Sequence, residues 1–448
     1  MDPLPIQPFT QHVSGTHSVP GSKSITNRAL ILAALGKTNT RLQGCLVSED
    51  TRIMGKALRK MGIQVEVLDD GETLEITGCG TDWPVDSAEI FVGNAGTAAR
   101  FLTAMLCLKP GGTYHLDGTP AMRKRPMDGI LDTLEKLGTS IECHQEQGHF
   151  PFTLKTRGLP GGTWETDASQ SSQILSALLM AAPHAQGSVT IRLLGETVSK
   201  PFVDMTLEMM WQAGAEIQGD GIATTNISRS TGNTPPDTWQ IEPDATAASY
   251  FLTLPALTGG SLTLPNLAEK MLQGDIGYAS ILRQLGMEVE FSSEGLTTTH
   301  TGPSQKLNGG NFNFNPISDT FLTLAAISPL LSSPVIITGI EHTRKQETDR
   351  VHAMATELRK LGQPVEETQD SLTITPDMDA LRRAAAQKPV VHTYEDHRVA
   401  MSFGILGSYD LLGNGQPWLR IAEPGCCAKT YPEFFQDLQN LHDRAHAG

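Results

Sequence analysis

The sequence predicts an α/β protein made of six small units of about 75 residues each, and three observations support that prediction. A glycine that ends an amphipathic helix recurs at near-constant spacing. A second helix, apolar on all sides, recurs with the same period. Short strand-like runs, such as residues 73–76, 188–191 and 335–338, lie between the helices. This mixture is typical of sheets that cover buried helices.

The amphipathic helices are recognised by how they end. Five segments pass from a helix-like pattern through a glycine into a short strand-like run: ALRKMGIQVEV, TLEKLGTSIEC, EMMWQAGAEIQ, ILRQLGMEVEF and ELRKLGQPVEE. Their glycines are separated by 76, 76, 72 and 76 residues: Gly62, Gly138, Gly214, Gly286 and Gly362. Glycine adopts the left-handed backbone of a helix end without a steric cost. The same period predicts a sixth helix near residues 434–441.

The apolar helices are recognised by how they begin. Polar residues spaced 71, 77, 73, 75 and 78 apart each precede a run rich in Ala, Leu, Met and Ile: Lys23, Asn94, Ser171, Asp244, Asp319 and His397. A helix that is apolar on all sides is buried in its unit. We expect the starts of these helices to converge on one cleft, where their positive dipole ends would favour an anion.

Composition narrows the class of protein. The chain has 448 residues and a net charge of −15, which argues against nucleic acid or an anionic membrane as a partner. Its six cysteines show neither the spacing of a zinc site nor a disulfide framework, so we expect reduced thiols in the cytoplasm. No apolar run has transmembrane length, and the N-terminal residues do not resemble a targeting peptide.

Cations stand at several predicted helix starts, where they oppose the helix dipole: Lys23, Arg125, Arg350, Arg398 and Lys429. Capping and compensation of the helix dipole explain polar starts such as Asp50, Asp275 and Thr430, but they do not explain these cations. The pattern predicts a bound polyanion that offsets their cost. The segment around Lys23 is not a P-loop, because five residues separate Gly15 from Gly21 and Ser22 precedes the lysine.

The sequence resembles the 5-enolpyruvylshikimate-3-phosphate synthase family of enolpyruvyl transferases. The matching segments cover nearly the whole chain: PGSKSITNRALILAAL, GNAGTAARFL, RKRPM, SSQILSALLMAAP, SKPF, QGDI, SDT, KQETDRV, YEDHRVAM and CCAKTYPEFF. The resemblance implies two lobes, each of three βαβαββ units, joined by two crossover strands. One lobe would span residues 21–242, and the other would combine residues 1–20 with 243–448.

The resemblance also implies the reaction and its site. The enolpyruvyl group of phosphoenolpyruvate would pass to the 5-hydroxyl of shikimate 3-phosphate by addition and elimination, with release of phosphate. Phosphoenolpyruvate would contact Lys23, Asn94, Gly96, Arg125, Gln173, Arg350, Arg398 and Lys429. Shikimate 3-phosphate would contact Lys23, Ser24, Arg28, Ser171, Ser172, Gln173, Ser199, Asp319 and Gln346. No metal or organic cofactor is implied, and we expect a monomer whose lobes close on the ligands.

Proton transfer would fall to three residues. Asp319 matches the family's base, Glu347 matches a second carboxylate, and Lys23 is a proton donor to the methylene carbon. Carboxylates among cations can hold different protonation states, which such chemistry requires. We expect His397 to cap a helix or orient an arginine rather than act as an acid. Other histidines, including His17, are expected at the surface.

Three residues depart from the family pattern and leave the outer contacts to shikimate 3-phosphate open. Phe202 replaces a common tyrosine, and His342 stands where asparagine is frequent. Gln346 occupies the position of a usual lysine, with Lys345 one residue earlier.

Two alternatives remain at this point. The sister enzyme that acts on UDP-N-acetylglucosamine carries Lys-Asn where Lys23-Ser24 stands, and it uses a loop cysteine that residues 116–126 lack. An inactive anion-binding protein of the same fold would need the cations but not Asp319 or Glu347.

Overall fold

A computed structural model describes residues 3–195, 199–221, 223–230, 233–302 and 307–447. The chain divides into two compact units, and each is described by itself. The inserted unit is Gly21–Glu242. The terminal unit combines the residues up to Pro20 with those from Pro243 onward. It contains the first strand of the chain, β1 (Leu4–Pro5).

The inserted unit contains three four-stranded sheets around buried helices. Its helices are α1 (Lys23–Leu35), α2 (Glu49–Lys60), α3 (Gly96–Leu106), α4 (Pro120–Arg123), α5 (Asp128–Lys136), α6 (Ser172–Ala181) and α7 (Lys200–Gln212). Its strands are β2 (Asn39–Gln43), β3 (Gln64–Leu68), β4 (Thr73–Thr77), β5 (Ser87–Phe91), β6 (Pro110–Asp117), β7 (Ser140–Cys143), β8 (Phe152–Arg157), β9 (Gly162–Thr166), β10 (Val189–Leu193), β11 (Ile217–Gln218), β12 (Thr224–Ile227) and β13 (Thr238–Gln240).

The terminal unit also combines small sheets with buried helices, but among its described residues two of the three sheets have three strands. Its helices are α8 (Ala245–Thr258), α9 (Tyr278–Leu285), α10 (Phe321–Ile327), α11 (Arg350–Lys360), α12 (Met378–Ala385), α13 (His397–Gly407) and α14 (Phe434–His446). Its remaining strands are β14 (Gly260–Leu264), β15 (Glu288–Ser292), β16 (Gly295–His300), β17 (Gly310–Asn313), β18 (Val335–Thr338), β19 (Val365–Glu367), β20 (Ser371–Ile374), β21 (Val390–Val391) and β22 (Arg420–Ile421).

Five of the six described sheets combine parallel and antiparallel pairs, and the β14-β16-β15 sheet is antiparallel throughout. In the β5-β6-β8-β7 sheet, β6 runs parallel to β5, with Ile90 opposite Leu116, and antiparallel to β8. The order along the chain is strand, helix, strand, helix and hairpin, as the fold class predicts. In the last repeat the described sheet is β1-β22-β21. The N-terminal strand β1 pairs antiparallel with β22, and β21 pairs parallel with it.

The two kinds of predicted helix are both present. The helices α1, α3, α6, α8, α10 and α13 are buried along almost their whole length, because their residues are apolar on all sides. Helix α2 shows the other kind: Met54 and Leu58 are buried, while Arg52 and Lys56 face solvent. All five repeated glycines have positive φ, with values of 84, 97, 80, 106 and 80°, so the predicted helix ends are confirmed.

The N-terminal residues complete the core of the terminal unit. Val13 and Thr16 form parallel bridges with Gly260 and Thr263 of β14. His17 was expected at the surface, and that expectation is wrong: its ring packs 4.2 Å from the ring of Phe251 and its Nε2 lies 3.1 Å from the Tyr431 hydroxyl. Burial, assisted by Arg444, lowers the pKa of His17 to about 4.

Candidate active site

A cluster of three cations and three carboxylates lies at the ends of several elements of the terminal unit. We call it the terminal cluster: Asp319, Glu347, Arg350, Asp396, Arg398 and Lys429. Asp319 lies in the 3-10 turn Asn315–Thr320 before α10, and Lys429 ends the 3-10 turn Pro424–Lys429. Arg350 begins α11, and Arg398 is the second residue of α13. Helix starts and turns of two successive repeats therefore bring these residues together.

Arg350 is the centre of the terminal cluster and is 1% exposed. Its Nε donates to Asp396 Oδ2 at 2.7 Å and its Nη1 to Asp319 Oδ1 at 2.8 Å. Its Nη2 donates to Glu347 Oε2 at 3.0 Å, and its Nη1 also contacts Gln346 Oε1. Burial works to lower the pKa of Arg350, but the three carboxylates outweigh it and hold the guanidinium charged.

The other two cations hold the outer oxygens of the same carboxylates. Arg398 Nη2 donates to Asp319 Oδ2 at 2.7 Å, and Lys429 Nζ donates to Glu347 Oε1 at 2.6 Å. Burial opposes the charge of Arg398, yet Asp319 raises the pKa of Arg398 well above its ordinary value. Each of Asp319 and Glu347 is thus shared by two cations. An anion that reaches Arg398 or Lys429 competes directly with a carboxylate.

A fourth acid adjoins the terminal cluster, and this one is buried. Asp275 is 1% exposed and accepts from Gln273 Nε2 at 3.3 Å, while Gln273 also donates to Asp244 at 3.1 Å. Burial, followed by repulsion from Asp319, raises the pKa of Asp275 to about 7. The sequence explained Asp275 by capping and dipole compensation. Asp275 lies in the first turn of the 3-10 helix Gly274–Gly277, but it does not cap α9, and its side chain belongs to the buried Gln273 network.

In the inserted unit, Lys23 begins α1 and lies beside a buried carboxylate. Its Nζ is 3.3 Å from Oδ2 of Asp50, and the two side chains are 12% and 3% exposed. The sequence explained Asp50 by capping and dipole compensation; Asp50 does lie in the first turn of α2, but it is not the cap. Ser48 caps α2 through a reciprocal capping box with Thr51, so the Asp50 carboxylate is left to the lysine.

The turn that leads into α3 packs against Arg125. A Cβ built on Gly96 would lie 2.6 Å from Nη2 of Arg125, so glycine is required for this approach. Arg100 fastens the turn, since its Nη1 donates to the Gly96 carbonyl at 3.1 Å and its Nη2 to the Pro126 carbonyl at 2.8 Å. Asn94 lies half-buried in the same turn. Arg125 and Asn94 therefore flank the backbone at the start of α3.

Gln173 connects this turn to the next repeat. Its Nε2 donates to Thr97 Oγ1 at 3.2 Å, and its backbone N–H donates to Oγ of Ser171, which caps α6. Ser172 is the first residue of α6, and it is buried. The starts of α3 and α6 are thus held side by side.

Arg28 lies in the second turn of α1, and its guanidinium is surrounded by hydrogen-bond acceptors of the protein. Its guanidinium donates to Thr206 at 2.7 Å, to the Ser24 carbonyl at 3.0 Å, to Ser176 at 3.0 Å and to the Phe202 carbonyl at 3.1 Å. Burial lowers the pKa of Arg28 to about 9. Its contact with a ligand stays a prediction.

Ser199 lies directly before α7 in a left-handed conformation, with φ of 52°. Residues of this type rarely adopt such a backbone outside special sites. Tyr394 and Glu395 share the feature, with φ of 55° and 58°, immediately before Asp396. Backbone strain therefore occurs at Ser199, which is a predicted ligand residue, and next to Asp396 of the terminal cluster.

The expected positions of the cations are met in part. Lys23, Arg350 and Arg398 stand at helix starts. Arg125 precedes α5 by three residues, and Lys429 precedes α14 by five, so each lies in a connecting turn. His397 does not cap α13, because Asp396 accepts the N–H of Arg398 at 2.8 Å.

Sequence reasoning missed several partners of the site residues, namely Asp50, Asp396, Thr97 and the Gln273–Asp275 pair. Asp396 stood within the quoted segment YEDHRVAM, but nothing in the sequence distinguished its carboxylate from an ordinary cap. These partners can be recognised only by their position in space, because each comes next to a predicted site residue only after the chain has folded.

Solved structures define the class of protein to which this fold belongs. The chain matches an EPSP synthase from Acinetobacter baumannii with a TM-score of 0.76 and 24% identity, covering 98% of this chain and 97% of that one. It matches the enolpyruvyl transferase NikO from Streptomyces tendae with a TM-score of 0.73 and 18% identity over the same shares. The fold is that of the enolpyruvyl transferases.

Sequence comparison narrows the class to one family. Residues 9–438 match the family model described as EPSP synthase (3-phosphoshikimate 1-carboxyvinyltransferase). The 3-phosphoshikimate 1-carboxyvinyltransferase of Opitutus terrae is 46% identical over 449 residues, covering 100% of this chain and 99% of the relative. That of a Nostoc species is 39% identical over 443 residues, covering 99% and 100%. The chain belongs to the EPSP synthase family and is a transferase of the shikimate pathway.

No helix among the described residues is long and apolar enough to span a bilayer.

Proposed function

We propose that the terminal cluster, together with Lys23, Asn94, Gly96, Arg125 and Gln173 of the inserted unit, binds phosphoenolpyruvate for the family reaction. The chain transfers the enolpyruvyl group of phosphoenolpyruvate to the 5-hydroxyl of shikimate 3-phosphate and releases phosphate. The observation that carries the assignment is the pairing of three buried cations with carboxylates that an anion can displace.

The charge balance of the terminal cluster suits an anionic substrate. Three cations face three carboxylates, so the protein holds the guanidinium groups charged and oriented before any ligand arrives. Phosphate and carboxylate groups accept strong hydrogen bonds from arginine, as Asp319 accepts one from Arg350 and one from Arg398. Binding at Arg398 and Lys429 then exchanges one anionic partner for another, with little reorganisation of the cations.

The acid and base roles follow from the same contacts. Asp319 lies between Arg350 and Arg398, and its Oδ1 accepts from the first and its Oδ2 from the second. It is suited to take the proton of the 5-hydroxyl. When phosphoenolpyruvate engages Lys429, Glu347 loses its lysine, and its protonated form becomes more favourable. Lys23, beside Asp50, is proposed as the donor to the methylene carbon.

We assign shikimate 3-phosphate to the serines at helix starts of the inserted unit and to their neighbours. The set is Lys23, Ser24, Arg28, Ser171, Ser172, Gln173 and Ser199, with Asp319 and Gln346 of the terminal unit. Hydroxyls and N–H groups at a helix N-terminus are suited to phosphate. Gln346 is the weakest member, because its carbonyl oxygen already accepts from Arg350.

We also propose that the chain acts as a monomer in the cytoplasm, which suits its six free cysteines. Light scattering of the purified protein with both substrates tests the oligomeric state, and a stable dimer would contradict the proposed monomer.

One experiment separates the proposed function from its alternatives. Phosphate release from phosphoenolpyruvate is measured with shikimate 3-phosphate, with UDP-N-acetylglucosamine, and with neither. We expect release only with shikimate 3-phosphate. Release only with the nucleotide sugar would support the sister transferase, and ligand binding without any turnover would support an inactive anion-binding protein.

A further inference from the structure

A groove on the inserted unit combines an apolar floor with an uncompensated row of cations. It lies between α2 and the edge strand β5, and its volume is about 500 Å³. Pockets that hold small organic ligands span roughly 300–1,000 Å³. We call it the α2–β5 groove. None of the groups assigned to either substrate lines it.

The cations of the groove come from one face of α2. Arg52, Lys56 and Lys60 follow one another at intervals of four residues, so their side chains project on the same side of the helix. All three are exposed, and none forms an ion pair with any residue that the structure describes. Glu49, at the first turn of α2, is the one carboxylate of the lining. The groove therefore carries a local positive excess in a chain whose net charge is −15.

The floor and far wall of the groove are apolar. Ile53 and Ala57 of α2 and Ile90 and Phe91 of β5 all line it. Phe91 is 61% exposed, one of few large apolar side chains left open to solvent in the described parts of the chain. A large aromatic ring that stays exposed beside cations is typical of a binding surface.

The strand also offers backbone donors. Val92 N–H donates to the Asp117 carbonyl, and Thr113 N–H donates to the Asp86 carbonyl. The backbone N–H and C=O groups of the even-numbered residues along β5 therefore point towards β6. By the alternation of strand hydrogen bonds, the N–H groups of Glu89 and Phe91 face the opposite edge. That edge has no partner strand among the described residues.

We propose that the α2–β5 groove binds a small organic anion with a flat apolar body and one carboxylate, sulfonate or phosphate group. The apolar body would lie against Ile53, Ala57 and Phe91. The anionic group would lie near Lys56, with Arg52 and Lys60 on either side along the helix. A ligand of this class is selected by charge complementarity, because the groove has three cations and one carboxylate.

The test uses anilinonaphthalene sulfonate as the probe and its fluorescence as the measure of binding. N-phenylnaphthylamine, which lacks the sulfonate, is the neutral comparison. We expect the sulfonate to bind more tightly than the neutral amine. Lys56→Glu should weaken binding of the sulfonate about fivefold or more, because it replaces an attraction by a repulsion. It should leave binding of the neutral amine within about twofold.

Two further variants separate the groove from binding elsewhere. Arg59→Glu makes the same change of charge one turn along α2, but the Arg59 guanidinium is turned to the Val65 carbonyl at 3.3 Å and does not line the groove. It should leave binding of the sulfonate within about twofold. Phe91→Ser should weaken both probes. All of these side chains are exposed, so thermal unfolding should change little.

The proposal fails if Lys56→Glu and Phe91→Ser bind the sulfonate as tightly as the unmodified protein does. It also fails if Arg59→Glu is as damaging as Lys56→Glu, because net charge alone would then account for binding. Turnover is not part of the readout, so the outcome is independent of the proposed catalytic roles.

Discussion

Adding one methyl group at Gly96 tests whether the turn before α3 sets the position of Arg125. A Cβ at Gly96 would lie 2.6, 2.8 and 2.9 Å from Nη2, Cζ and Nη1 of Arg125. Ordinary contacts of a Cβ begin near 3.4 Å, so the guanidinium must retreat by about 0.8 Å. Gly96 does not have positive φ, so alanine strains no backbone there and the clash is the whole perturbation.

The size of the effect follows from the hydrogen bonds of a displaced guanidinium. A charged hydrogen bond is worth about 1.5–3 kcal/mol, and 1.4 kcal/mol is tenfold in affinity. Losing one such bond weakens phosphoenolpyruvate binding about 10- to 100-fold. Binding of shikimate 3-phosphate, which is not assigned to Arg125, should change by less than about threefold.

The assay compares Gly96→Ala with Arg125→Ala, with the double variant and with a matched control. Gly55→Ala is the control, because a Cβ added at Gly55 in α2 would have no neighbour closer than 3.7 Å and should only stabilise the helix. Phosphoenolpyruvate KM at saturating shikimate 3-phosphate is measured for each. If Gly96 acts through Arg125, the two losses are far from additive. Full additivity, or an unchanged KM in Gly96→Ala, would refute the reasoning.

Three further predictions concern the terminal unit. Asp319→Ala should slow turnover at least about 100-fold and keep substrate affinity within about tenfold, as single-turnover and binding measurements would report; unchanged turnover removes Asp319 as the base. Lys429→Met should raise phosphoenolpyruvate KM about 10- to 100-fold, because a charged partner of the anion is lost, and an equal rise for shikimate 3-phosphate would contradict its assignment. The pKa of His17 is about 4 in the folded state and about 6.5 in the unfolded state. Between these values the unfolded state binds more protons, so the free energy of unfolding decreases as pH falls through that window. Between about pH 7 and pH 5 this amounts to at most about 2 kcal/mol, and denaturant unfolding of His17→Phe should show that much less pH dependence than the unmodified chain.

Local patterns predicted the repeat because they report local physics. A glycine at a helix end, such as Gly62 or Gly286, is required by the backbone conformation of its own turn. The observed positive φ values agree with that prediction. The uniformly apolar run of α1 can only be buried, wherever its neighbours lie. His17 shows the limit of this reasoning. An isolated histidine carries no pattern, and it is buried because Phe251 and Tyr431, distant in sequence, close over it.

The cations of the site were visible in the sequence because a positive charge at a helix start opposes the dipole, as at Lys23, Arg350 and Arg398. Their carboxylate partners were not visible, because an acid at a helix start is what capping requires anyway. Capping and dipole compensation were sufficient to explain Asp50 and Asp275 from the sequence, and only the structure shows that one is buried against Lys23 and the other in the Gln273 network.

The sequence alone thus determined the repeated unit, the buried helices, the family and the cationic residues, since each leaves a periodic or motif-level trace. Only the tertiary structure decided which carboxylate each cation holds. Arg350 and Asp396 are 46 residues apart, and Arg398 and Asp319 are 79 residues apart. An ion pair acts over a few ångströms of space, and nothing in the order of residues fixes that distance until the chain has folded.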